Sequence, residues 1–160
     1  MKLYAKEIKG FTLIEMLVTL TIISILAAGA IPLAKISIKR QKEIHLQRNL
    51  RMIREAIDEY KRLADDKKID FEEDTFGYPP DLETLVMGVE IKSDEDEEES
   101  VKIRKFLRRI PKDPMSPTGE WGLRSYQDEF DSDTWGGENV YDVYSKSEET
   151  AINETKYKDW

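Results

Sequence analysis

Residues 9–34 read KGFTLIEMLVTLTIISILAAGAIPLA, and the rest of the chain takes its meaning from them. Lys9 and Gly10 close a short leader that also carries Lys2 and Lys6. Phe11 opens an apolar run in which Glu15 is the only charge. From Met16 to Ala34 no residue is charged, and as a helix this segment is about 28 Å long. The hydrocarbon core of a bilayer is about 30 Å thick, so the run predicts a membrane-spanning helix. A carboxylate in lipid costs on the order of 3 kcal/mol. Glu15 is therefore expected to meet a partner.

Beyond Pro32 the pattern changes but the helix is expected to go on. Leu46, Leu50, Ile53, Ile57, Tyr60 and Leu63 fall at steps of three and four, which is one apolar face of a helix. Neither glycine nor proline interrupts residues 33–76, and Lys, Arg, Glu and Gln fill much of the other faces. One helix from Phe11 to about Ala64 would be roughly 80 Å long. Its first half is apolar all round and its second half amphipathic. The second half should pack on a head, while the first half sits in membrane or against other subunits. Pro32 is expected to kink or locally loosen the helix, because its ring removes one backbone hydrogen bond. As the alternative, it only marks the exit from the membrane.

Charge divides the chain in the same way. The total of −8 hides a basic stretch over residues 35–68 and a strongly acidic remainder. Lys35, Lys39, Arg40 and Lys42 follow the apolar run and suit anionic headgroups, acidic neighbours or plain solvent. The acidic head would repel nucleic acid. The lysines of the leader favour keeping that end cytoplasmic and sending the head outward.

In the head, Asp65–Asp70 reads as the turn that ends the stem. Gly77-Tyr78-Pro79-Pro80-Asp81 leads into a short helix capped by Asp81, with Leu82, Leu85 and Val86 as its apolar face. Residues 93–100, SDEDEEES, read as an exposed acidic loop. VKIRKFLRRI, residues 101–110, reads as a short basic helix with Ile103, Phe106, Leu107 and Ile110 on one face, stopped by Pro111. Strands are expected over 123–127 and 140–145, joined by a hairpin connection containing Gly136-Gly137. A third strand is expected near 157–160. The fold class is α+β: a long N-terminal helix against a small head with short helices and a small antiparallel sheet.

Several residue patterns carry a resemblance. Gly10-Phe11-Thr12-Leu13-Ile14-Glu15, with Pro32 at the far end of the run, resembles the class III signal of type IV pilins and pseudopilins. FLRRIPKDP (106–114), SDTWGGENVYDVYS (132–145) and the terminal Asp159-Trp160 resemble the G-type, or major, pseudopilin of the type II secretion system. Residues 66–100 match least. The resemblance implies cleavage between Gly10 and Phe11 by a prepilin peptidase, methylation of the Phe11 amine, and assembly through Glu15 and Pro32. It divides the chain into a cleaved leader (1–10), a transmembrane and filament-core helix (11–34), an amphipathic stem (35–65) and a periplasmic acidic head (66–160). The implied product is an inner-membrane, single-pass subunit of a periplasmic filament. Its implied partners are further copies of itself, minor pseudopilins, inner-membrane assembly proteins and the lipid bilayer.

The resemblance also implies a calcium site in the loop after the second head strand. Here the oxygens would come from Glu148, Glu149, Asn153, Glu154 and Asp159. The loop has no glycine, and glutamates stand where the family usually shows aspartates. The other reading of the same segment is a third strand with exposed acids.

Composition removes other functions. The chain has no cysteine and a single histidine, His45, to which no role is assigned. Disulfides, thiolate metal sites and cysteine catalysis are therefore out, and a histidine-based zinc site lacks its ligands. No glycine-rich phosphate loop or nucleophile elbow appears, and Asp131 and Asp133 fall in the expected hairpin connection. The chain reads as no enzyme. The competing functions are a type IV pilus pilin and a membrane-anchored or secreted calcium-dependent binding module. Competing readings of the N-terminus are a plain membrane anchor and a secretory signal cut after Ala28-Gly29-Ala30. The latter has to accommodate Glu15 inside its apolar region.

Overall fold

The computed structural model describes residues 10–92 and 102–160. The fold is α+β, with a long N-terminal helix, a short second helix, two 3-10 turns and two small antiparallel sheets. Two compact units divide the chain, Met1–Lys39 and Arg40–Trp160. The acidic run 93–100 lies outside the described residues.

Helix α1 covers Leu13–Asp65, within two residues of the expected limits. Pro32 lies inside it and the helical run is unbroken there, so the expected local melting is absent. A proline removes one N–H and leaves the hydrogen bonds on either side in place. In the second unit Leu46, Leu50, Ile53, Ile57 and Tyr60 of the predicted stripe are buried and Leu63 is half-buried, with Ala56 and Ala64 buried beside them. The helix then ends in a Schellman arrangement. The Lys68 amide donates to the Leu63 carbonyl and the Lys67 amide to that of Ala64, both at 2.9 Å. Lys67 takes the left-handed position at φ 56° that glycine usually fills.

Helix α2 (Leu82–Met87) starts where expected. Asp81 Oδ1 accepts from both the amide and the hydroxyl of Thr84, each at 2.7 Å. Leu82 and Leu85 are buried against the stem stripe. The helix stops at Gly88, φ 88°, where a side chain would meet the Arg104 carbonyl at 2.5 Å.

That close approach marks the main correction. Among the described residues 102–110 the expected basic helix is absent. Lys102–Arg104 forms strand β2, paired antiparallel with strand β1 (Val89–Ile91), which the sequence reading missed. Ile103 faces outward at 62 % exposure. Phe106 and Leu107 turn inward because both their amides donate to the Leu85 carbonyl. The helical spacing of Phe106, Leu107 and Ile110 is thus an irregular segment touching the core three times, and three-residue strands give too few alternations to show in the sequence.

The second sheet pairs β3 (Trp121–Arg124) with β4 (Asp142–Ser145), with Gly122 opposite Tyr144. Both strands are shorter than expected, because side chains take up the flanking backbone donors. The Ser125 amide donates to Asp128 Oδ2 at 2.7 Å and the Tyr126 amide to Asn139 Oδ1 at 2.9 Å. The Val140 amide donates to the Pro79 carbonyl at 2.8 Å. The expected hairpin connection is present. The expected third strand is instead a 3-10 turn, Tyr157–Asp159.

Candidate functional site: the start of the apolar helix

Gly10 and Phe11 precede the helix, and Phe11 is 80 % exposed. Thr12 is the residue before the first helical one, and Glu15 is the third residue of the helix. The Glu15 amide donates to Thr12 Oγ1 at 3.3 Å, and the Thr12 amide donates to Glu15 Oε2 at 3.5 Å. This reciprocal pair is a capping box, which satisfies two backbone donors that no helical carbonyl reaches. A negative side chain at a helix N-terminus is also favoured by the helix dipole. Within its own chain, then, Glu15 already has a structural task. The signal was legible as Thr-x-x-Glu before an apolar run, and the sequence reading missed it.

The following turns are apolar on every side and none of them is buried within the chain. The hydroxyls among them turn back onto the helix itself. Thr19 donates to the Met16 carbonyl (2.9 Å), Thr21 to that of Leu17 (2.8 Å) and Ser24 to that of Leu20 (2.7 Å). Each hydroxyl proton is satisfied without water, as an apolar medium requires. The helix is long and apolar enough to cross a membrane.

The five residues named for calcium lie elsewhere, in the segment after β4. That segment is closed by a bridge between Thr150 and Lys156 and by the Ala151 amide donating to the Thr155 carbonyl at 2.7 Å. Asn153 Oδ1 accepts from the amide and hydroxyl of Thr155. Asn153, Glu154 and Asp159 line a groove that also holds Arg51, Arg54, Lys156 and Lys158, whereas Glu148 lines a different cavity. Among the described residues no three acidic or histidine side chains gather as a metal site. As placed, these oxygens do not form a calcium shell.

What holds this segment is a pair of stem residues that the sequence reading did not single out. Glu43 Oε1 accepts from the Ile152 amide and from the Tyr157 hydroxyl, both at 2.8 Å. Arg54 donates to Asp142 Oδ1 (2.7 Å), to the Val143 carbonyl (3.1 Å) and to the Trp160 carbonyl (2.7 Å). Burial, and then the bond to the Glu43 carboxylate, push the Tyr157 hydroxyl above its ordinary pKa. Asp131 and Asp133 lie in the β3–β4 connection, where Asp133 ion-pairs with Lys158 at 3.7 Å.

Residues 6–31 match the model of the prokaryotic N-terminal methylation motif. No curated protein and no solved structure gives a significant match. The matched stretch contains Gly10, Phe11, Thr12 and Glu15 and ends one residue before Pro32. The motif points to a structural pilin-like family, and in general a pilin-like motif implies polymerisation and processing by a prepilin peptidase. The match, together with an apolar helix suited to an inner-membrane anchor, supports a place for this chain in the type IV pilin-like family.

Proposed function

We propose that this chain is a filament subunit of the pseudopilus of a type II secretion system, helping to export folded proteins. The observation that carries the assembly reading is the helix start. A carboxylate stands at the head of an apolar helix whose side chains make no contact that buries them. The proposed processing removes residues 1–10 and leaves a cationic, methylated amine on Phe11. The proposed assembly step brings Glu15 of an incoming subunit against the Phe11 amine of its neighbour. In low dielectric the attraction is strong, and an unpaired carboxylate is costly to bury. Register is thereby selected as subunits leave the membrane. Pro32 is proposed to give the helix room to adjust as it packs. Residues 11–34 form the filament core, residues 35–65 the stem, and the heads lie outside in the periplasm.

The lack of cysteines and the short head favour the pseudopilus over a type IV pilus. Minor pseudopilins and inner-membrane assembly proteins are the partners this reading requires. Calcium on the 146–159 segment is kept as a separate proposal, and it requires that segment to rearrange.

Intact mass and N-terminal sequencing of the protein from its native membrane test the processing step. A chain starting at Phe11 and heavier by one methyl is expected. A chain starting at Met1 or at Ile31 would leave an anchored or secreted binding domain. Glu15→Leu tests the assembly step: membrane insertion should persist while filaments disappear. Normal filament yield from that variant sinks the pairing.

A further inference from the structure

We propose that the head carries a docking surface for a second copy of this chain: an acid-rimmed aromatic patch that receives the arginine face of the neighbour's α1. This rests on the self-assembly reading above.

The patch is built from residues far apart in sequence. Tyr78 packs against Tyr126 and Tyr141 with ring centroids 5.6 and 5.2 Å away, and Phe76 packs on Tyr126 at 5.6 Å. These rings do not hide one another. Phe76 is 50 % exposed, Tyr126 53 % and Tyr141 47 %. Phe130, 89 % exposed, lines one cavity with Tyr126 and Tyr141. Aromatic surface of this extent in solvent is uncommon unless something covers it.

Charge identifies what covers it. Asp128, Glu129 and Asp142 line the same cavity with Arg124; Asp142 is paired with Arg54, so Asp128 and Glu129 supply the rim's negative charge, which disfavours anionic lipid and nucleic acid. Ring faces over a negative rim suit a cation, above all a guanidinium. The cluster already takes one ammonium, Lys61 Nζ, 5.5 Å from the centre of the Tyr78 ring.

The stem of the same chain presents the complement. Arg40, Ile44, Arg48 and Arg51 recur at steps of four, four and three and share one face of α1. Leu46, Leu50, Ile53 and Ile57 occupy the buried face. All three arginines are exposed, and none is paired with a carboxylate among the described residues. Ile44, 59 % exposed, supplies an apolar centre between them. The two surfaces share no residue, so their contact between copies is head-to-tail, and it propagates along a filament wherever the rotation between copies does not close a ring.

Cysteine cross-linking of the full chain in its membrane tests this, since the natural sequence has no cysteine. Two differently tagged copies are co-expressed, one with Phe130→Cys and the other with Arg48→Cys, and then oxidised. Both positions are exposed, so neither change removes a core contact. A mixed dimer is expected at roughly ten-fold the yield of a control pairing Phe130→Cys with Glu83→Cys, the ratio corresponding to one desolvated cation–π contact between the remaining Arg40 or Arg51 and the tyrosine rings. A chain carrying both Phe130→Cys and Arg48→Cys should give a ladder. Filaments that form without the cross-link overturn the docking surface and leave self-assembly standing. Neither filaments nor cross-links would overturn both. A double-cysteine chain that stops at dimers overturns the head-to-tail contact, and Phe130→Cys linking to a different protein overturns the second copy as occupant.

Discussion

Helix α1 is apolar in both of its parts, yet the two parts use that property differently. Over residues 40–65 most apolar side chains, Ile44 and Met52 apart, fall on one stripe, and the stripe is buried in the head. Over residues 13–38 they lie on all sides, and none is buried. One half finds its partner within the chain and the other has to find it outside. A patterned stripe names an internal neighbour of limited width, whereas an unpatterned one asks for a surrounding medium. The polar groups follow the same division. In the apolar part, hydroxyls bond back to their own helix. In the head, Arg54 and Glu43 reach across to segments about a hundred residues away in sequence.

Paired truncations would break or sharpen this contrast. Ile53 has no exposed surface, and Ile53→Ala should cost the head about 2–5 kcal/mol, read as a lower Tm in detergent. The same truncation at the exposed Ile23 should leave the head's Tm unchanged. Equal losses from both would mean that the apolar half also stabilises the head, and the division would fail. A smaller effect is expected from Gly122→Ala. The added methyl would stand 2.3 Å from the Tyr144 ring across the sheet, an overpacking cost of about 1–3 kcal/mol. The Arg124 guanidinium, 4.4 Å from the centre of the same ring, limits its escape.

Alkaline pH probes the clamp on the last segment. The folded Tyr157 hydroxyl has a pKa above the ordinary value of 10.0, from burial first and the Glu43 bond second. A raised folded pKa means that the stabilisation is complete below pH 10 and is lost as pH climbs from there through the folded value. Tyr157→Phe should cost about 1 kcal/mol at neutral pH and flatten the alkaline loss seen in pH-dependent unfolding curves. An unchanged alkaline limb would remove Tyr157 as its cause. The smallest effect is expected from calcium. If the 146–159 segment rearranges to bind it, the head's Tm rises with added calcium and falls back with chelator; an identical Tm in both would end the calcium proposal.

The long helix, its stripe, the Asp81 cap and the apolar run were legible in the sequence, because each depends on neighbours three or four residues apart. The capping box of Thr12 and Glu15 was equally local and went unread, since Glu15 was given an intermolecular role alone. Strand β2 was misread because Phe106, Leu107 and Ile110 imitate helical spacing while their inward direction comes from the Leu85 carbonyl. The third strand failed for a similar reason. The segment is instead turned by a buried Tyr157 pinned to Glu43, more than a hundred residues earlier.

By itself the sequence determined that this chain is a stem and a head, that the first part of the stem is apolar on every side, and that Gly10-Phe11 with Glu15 begins it. These are properties of composition and of short-range periodicity, which no distant contact revises. Tertiary structure alone decided that β1 pairs with β2, that Glu43 and Arg54 hold the last segment, and that four aromatic rings gather on the surface beside three carboxylates. Such juxtapositions depend on which distant residues the closing of the core brings together, and pairwise contacts of that kind leave no period in the chain.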